Sequence, residues 1–279
     1  MTSAATPPGP SLSNQVRRAL LEPVIPTDTT TSTTSDLSID EELNLRSIGW
    51  EPVELVSAVS LQSIPYGFWN WGQGEIEVAS RAHAAAFLSA TTRLVREAGA
   101  AGAHGVVGVH IDRAVHPTFV EVSLVGTAVR PVDRSQRLSR GVFASDLSAR
   151  DFTMLMVAGW EPLGLASGAS FVFAPRRSMS STLQQQTQNV ELTNFTEAMY
   201  SARESAMQRM QEMAIDMHGA GVVDVTVHEG PMAFASHAVG FVAVGTVVRL
   251  AASAHQSIQP TAVVSLDDPT VAFDAQTLA

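Results

Sequence analysis

The stretch IGWEPVELVSAVS, residues 48–60, returns as AGWEPLGLASGAS at residues 158–170. Setting Gly49-Trp50-Glu51-Pro52 over Gly159-Trp160-Glu161-Pro162 gives an offset of 110 (159 − 49), which runs upstream without a gap to Asp36 and Asp146. Downstream, GVVGV from Gly105 lies over GVVDV from Gly221 at an offset of 116 (221 − 105). VGTAVR from Val125 then lies over VGTVVR from Val244 at an offset of 119 (244 − 125). The offset grows by small steps, as loop insertions would make it. A period of about 110 residues is a whole domain, not a solenoid unit, so the chain reads as a tandem duplication.

Each copy follows one plan. An acidic lead opens a short helix, capped by Asp36 or Ser38 in the first copy and by Asp146 or Ser148 in the second. Leu43 and Leu45, or Phe152, Leu155 and Met156, are expected on its buried side, and Gly49 or Gly159 ends it. Trp-Glu-Pro leads into a strand, because proline fits a strand's entry and not its middle. A loop and the longest helix follow. In the second copy this helix is expected from Thr196 to His218, with Met199, Ala202, Ala206, Met210, Met213 and Met217 on one stripe. Ala86, Ala90 and Leu94 hold matching places in the first copy, and Gly102 and Gly219 mark the helix ends. Two strands complete each copy. The expected fold class is α+β: two tandem repeats of a small domain, each with one long helix on a mostly antiparallel sheet. The expected boundaries are a disordered arm over 1–35, a first domain over 36–133, a linker over 134–145, a second domain over 146–252 and a tail over 253–279.

The last strand of the second copy is apolar on both faces. Val239, Phe241, Ala243 and Val247 lie on one, Val242, Val244 and Val248 on the other. Both faces should therefore be buried. One helix covers one face, so the other is expected to meet a second sheet from the sister repeat or a neighbouring chain. Charged residues make up only 16% of the chain, against about 25% in an average domain. That also points to surface covered by other subunits.

The formal charge is -10 and the basic residues are scattered, which argues against nucleic acid and against an anionic membrane surface. The absence of cysteine removes disulfide and thiolate chemistry. With no secretory start and no run of about 20 apolar residues, a cytoplasmic protein is expected.

These blocks resemble the YbjQ family of heavy-metal-binding domains. The resemblance rests on the strand after GWEP, the ARESAMQRMQEMA helix from Ala202, the GVVGV strand from Gly105 and the GTAVR ending from Gly126. It covers residues 36–133 and 146–252, and it implies small α+β domains in five-fold rings. The second copy keeps the family's Ala202-Arg203-Glu204, whereas the first has Ala86-Phe87-Leu88 there. Two domains per chain would form either two stacked pentameric rings or one ring of ten pseudo-equivalent domains.

Candidate chemistry is sparse. His104, His110 and His116 fall six residues apart, and His218, His228 and His237 occupy comparable regions of the second copy. A metal site, if present, would draw on His104, His110 and His228 and take a divalent transition metal. That spacing is not the one that puts two ligands on one helical turn. Arg203 and Glu204 fit a salt bridge or a solvated helix face, and Glu51 and Glu161 recur at strand entry, where a pair of carboxylates would suit a cation. The aromatic loop 65–75 holds Tyr66, Phe68, Trp69 and Trp71 and suits a subunit contact or a small-molecule surface. With Phe241, Val242 and Val244 these are the candidate interface residues. No nucleophile elbow, phosphate loop, zinc-protease motif or dinucleotide fingerprint occurs. The expected function is a non-enzymatic, self-assembling homo-oligomer, five-fold by resemblance, with no bound cofactor. The alternatives are a metal-ion-binding protein of the same fold and a small-molecule binder using the aromatic loop. Either tail is a candidate docking segment for a protein partner.

Overall fold

The computed structural model describes residues 34–65, 74–133, 138, 141–175, 192–232 and 235–251. The first repeat comprises α1 (Ile39–Ser47), β1 (Trp50–Ser63), β2 (Gly74–Glu75), α2 (Glu77–Ala100), β3 (Gly105–Val115) and β4 (Phe119–Pro131). The second comprises β5 (Phe143–Ala144), α3 (Ala149–Val157), β6 (Trp160–Phe173), α4 (Thr193–Asp216), β7 (Gly221–Met232) and β8 (Ala235–Leu250). The class is α+β in two repeats, as the sequence indicates. Among the described residues no helix is long and apolar enough to cross a membrane.

Local chemistry sets the boundaries. The Ser38 hydroxyl accepts the Glu41 N–H and the Glu41 carboxylate reaches back to the Ser38 N–H, a reciprocal cap on α1. Ser148 accepts the Asp151 N–H at the same place on α3. Gly49 (φ 76°) and Gly159 (φ 81°) end the two short helices in the left-handed region. Leu45 and Phe152 are buried as expected; Leu43 is exposed, on the outer side of α1. After α2 the left-handed residue is Gly102 (φ 78°), but after α4 it is His218 (φ 57°), one position before the expected Gly219.

The two sheets interlock. The first has the order β1-β4-β3-β5 and the second β2-β6-β8-β7. The segment before α2 thus adds a strand to the second repeat's sheet, where Gly74 and Glu75 face Phe173 and Val172. In return Phe143 and Ala144, inside the stretch expected as linker, add a parallel strand beside Gly105 and Val106. All other pairings are antiparallel.

This exchange changes how the sheets are covered. The stripe Ala82, Ala86, Ala90, Leu94 and Ala98 packs α2 on its own sheet, and Phe87 joins the same core, which includes Leu165, Ala169 and Phe171 of β6. One helix therefore covers two sheets. The outer face of the second sheet is buried by this helix of the sister repeat together with β3 of the sister sheet, whose Val106 and Val109 share a core with Val242 and Val244. On α4 the stripe is Ala198, Ala202, Ala206, Met210 and Ala214, packed on the inner face of the second sheet; Met199, Met213 and Met217 sit at its margin. A third core joins the repeats around Trp50, whose ring meets Phe152 edge-on at 5.3 Å and Phe143 at 6.2 Å.

Candidate functional site

Among the described residues, a polar cleft and an ion-pair seam lie where the repeats meet. The cleft has a volume of about 240 Å3 and lies between β3 and β7, lined by His110, Arg113, Asp146, Asp224, Thr226 and His228 with apolar neighbours. Each strand carries a bulge there, after Val107 and after Val223. Gly108 (φ 62°) forms the first bulge and Asp224 (φ 54°) the second. Aspartate is one of the few side chains that tolerate this region, and the conformation turns the strand at the cleft wall.

Burial pushes the Asp146 carboxyl up to about 6; bonds from the Thr246 hydroxyl and a backbone N–H oppose that rise, and the nearby Asp224 charge adds to it. Burial also lowers Arg113. His83 is depressed to about 4 by burial and then by the Arg113 charge. His228 is lowered by the same two causes in the same order. The cleft thus holds charges of both signs in partly dry surroundings.

The structure brings two of the three candidate metal ligands, His110 and His228, to this one cavity. His104 is not among its lining residues. It precedes β3, where its N–H meets Val129 and its carbonyl accepts the Phe143 N–H. Among the described residues no group of three His, Asp or Glu side chains is placed to hold a metal ion. His110 Nε2 also lies 3.4 Å from the Asp36 carboxylate on the surface. His116 sits in the β3–β4 turn, stacked on Phe119 at 4.2 Å.

In the seam, Arg209 of α4 donates to the Ala169 carbonyl and forks onto both oxygens of Glu75. Ser80 and Ser170 donate to the same carboxylate at 2.7 and 3.1 Å. Burial would raise Glu75, but Arg209 and the two hydroxyls outweigh it and hold the carboxyl below its ordinary range. The carboxylates after each tryptophan have structural partners: Glu51 pairs with Arg130 and Glu161 with Arg249, across the directly opposed positions of β1–β4 and β6–β8. Arg203 and Glu204 lie on the outer side of α4. Phe241 packs beneath α4, while Val242 and Val244 lie in the core shared with α2, so all three are buried inside this chain. Tyr66, Phe68, Trp69 and Trp71 lie outside the described residues, as do most of both tails.

Sequence reading did not single out Arg113, Asp224, Glu75 or Arg209. One signal was available for Asp224, the aspartate where GVVGV has its second glycine.

The YbjQ family, described as "Putative heavy-metal-binding", matches residues 30–131 and 176–251. An encapsulin nanocompartment protein of Mycobacterium tuberculosis is 35% identical over 243 residues, 85% of this chain and 92% of the relative. No solved structure matches the chain.

Proposed function

This chain belongs to the YbjQ family, and from that premise we propose that it is a non-enzymatic structural subunit that assembles with copies of itself. The observation that carries this reading is the outer face of β1, where Leu55, Val59 and Leu61 stand exposed in one row. A strand face of this kind, left open on a chain so poor in charge, marks a protein contact. The nanocompartment name of the relative, which aligns over nearly the whole chain, supports a role as a building block. A closed five-fold ring, or a larger particle built from such rings, is the finer form of the proposal and rests on the family resemblance.

Native mass spectrometry or light scattering on the full chain tests it. The expected result is a particle that is a multiple of the 29.6 kDa protomer, with multiples of five supporting the ring. A stable monomer at micromolar concentration would overturn the reading.

A further inference from the structure

The contact that joins the repeats within the chain is heterologous. The first repeat offers α2 and β3; the second offers the outer face of β6 and the segment Phe143–Leu147. Along that segment, Val109 N–H donates to the Ser145 carbonyl, Ser145 N–H to Val106 and Gly108 N–H to Leu147. Among the described residues, these surfaces have counterparts on the other repeat that the chain leaves open. The duplicated register identifies each one.

Leu61 stands at the position of Phe171; Leu61 is 59% exposed and Phe171 3%. Leu55 and Val59 stand where Leu165 and Ala169 are buried, and are likewise open. On the helix side, Leu192 stands at the position of Ile76; Leu192 is 50% exposed and Ile76 fully buried. Val225 of β7 is exposed where Val109 of β3 is covered. Among the described residues β7 is the terminal strand of its sheet, whereas the equivalent β3 is extended by β5. Arg93 repeats the bond of Arg209, donating to Val59 as Arg209 does to Ala169. The Asp36 N–H is held by Thr127 as the Asp146 N–H is by Thr246, so Ser35–Leu37 sits on its own sheet as Ser145–Leu147 does.

We infer that the seam inside the chain recurs between chains: the α4 and β7 side of one copy docks on the outer face of β1 and on Ser35–Leu37 of the next. This rests on the self-assembly reading above. In the docked pair, Asp224 and Val225 N–H groups would meet the Leu37 and Ser35 carbonyls of the neighbour. Leu192 and Met199 would cover its Leu55, Val59 and Leu61. One departure from the template is informative. Arg203 stands where the first repeat has Phe87, so the contact between chains is more polar at this point than the one within a chain. A heterologous contact of this type closes a ring in which first and second repeats alternate, or else runs on as a filament.

Complementary variants of the full chain test this. Val59→Asp/Leu61→Asp damages one side and Leu192→Asp/Val225→Asp the other. All four positions are exposed, and circular dichroism and melting temperature serve as the folding control. Each variant alone should run as a monomer. An equimolar mixture should give a one-to-one dimer and nothing larger, because one intact pair of surfaces remains. If both variants keep the wild-type particle mass, this surface is wrong while self-assembly stands. If only one variant blocks assembly, or the mixture of folded variants stays monomeric, the contact is not head-to-tail. A monomeric wild type would remove the self-assembly reading and this inference with it.

Discussion

Glu75 and Arg209 come from different repeats and meet as a two-pronged ion pair, with Arg209 Nη2 donating to Glu75 Oε2 at 2.9 Å. Their side chains are 23% and 39% exposed, and two serine hydroxyls also donate to the carboxylate. The pair fixes the strand that precedes α2 onto the second sheet.

Replacing Glu75 with Gln removes the charge but keeps the shape, and leaves Arg209 half-buried without its counter-ion. The expected loss is about 1–3 kcal/mol of unfolding free energy by urea titration. The sign with pH follows from the lowered carboxyl. Its contribution is full above the ordinary value of 4.5 and fades as pH falls through the lower folded value. Glu75→Gln should lack that part of the acid response.

Asp146 works the other way. Its folded value of about 6 stands above the ordinary 3.8, so the folded state holds the proton more tightly and an ionised Asp146 disfavours folding at neutral pH. Asp146→Asn, which can still accept the Thr246 hydroxyl, should therefore raise stability at pH 7–8 by about 1–3 kcal/mol. His83, depressed from 6.5 to about 4, stabilises fully above 6.5 and loses this as pH falls. In the wild type the two trends oppose one another between pH 4 and 6. Melting temperatures of Asp146→Asn across that range should fall steadily with acid, exposing the His83 trend.

Gly168 faces the backbone of α4: a methyl group there would fall inside contact distance of the Ala206 carbonyl oxygen and the Met210 nitrogen. Neither can move without shifting the helix, so Gly168→Ala should cost more than about 2 kcal/mol. Gly221→Ala, with nothing within 4 Å, should change the stability of the chain by less than about 0.5 kcal/mol. Thermal unfolding of the two variants side by side gives the comparison.

Thr246 and its counterpart Thr127 carry unequal loads. The buried Thr246 hydroxyl binds the Asp146 N–H, the Asp146 carboxyl and Ser145, whereas the Thr127 hydroxyl binds the Asp36 N–H. Thr246→Val should cost about 2 kcal/mol and Thr127→Val about 1 kcal/mol, each measured by chemical denaturation.

Much of the fold was legible along the chain. The repeated Gly-Trp-Glu-Pro, the capping serines at 38 and 148, the glycines at 49 and 159 and the alanine stripe of α2 are local signals, and each forms the element its pattern implies. They are legible because caps, turns and helix faces depend on residues a few positions apart. The two-sided apolar pattern of β8 likewise required cover on both faces.

What covers those faces was decided only in three dimensions. Nothing in the spacing of Phe87 or Glu75 says that α2 serves two sheets, or that β2 and β5 cross to the opposite repeat. The meeting of His110, Asp146, Asp224 and His228 in one cleft has the same origin. These contacts bring together segments far apart in sequence, and they are selected by packing of the whole chain rather than by any local preference. The duplicated sequence determined that two like repeats exist. The tertiary structure decided that they are joined unequally, with one set of equivalent surfaces closed and the other open.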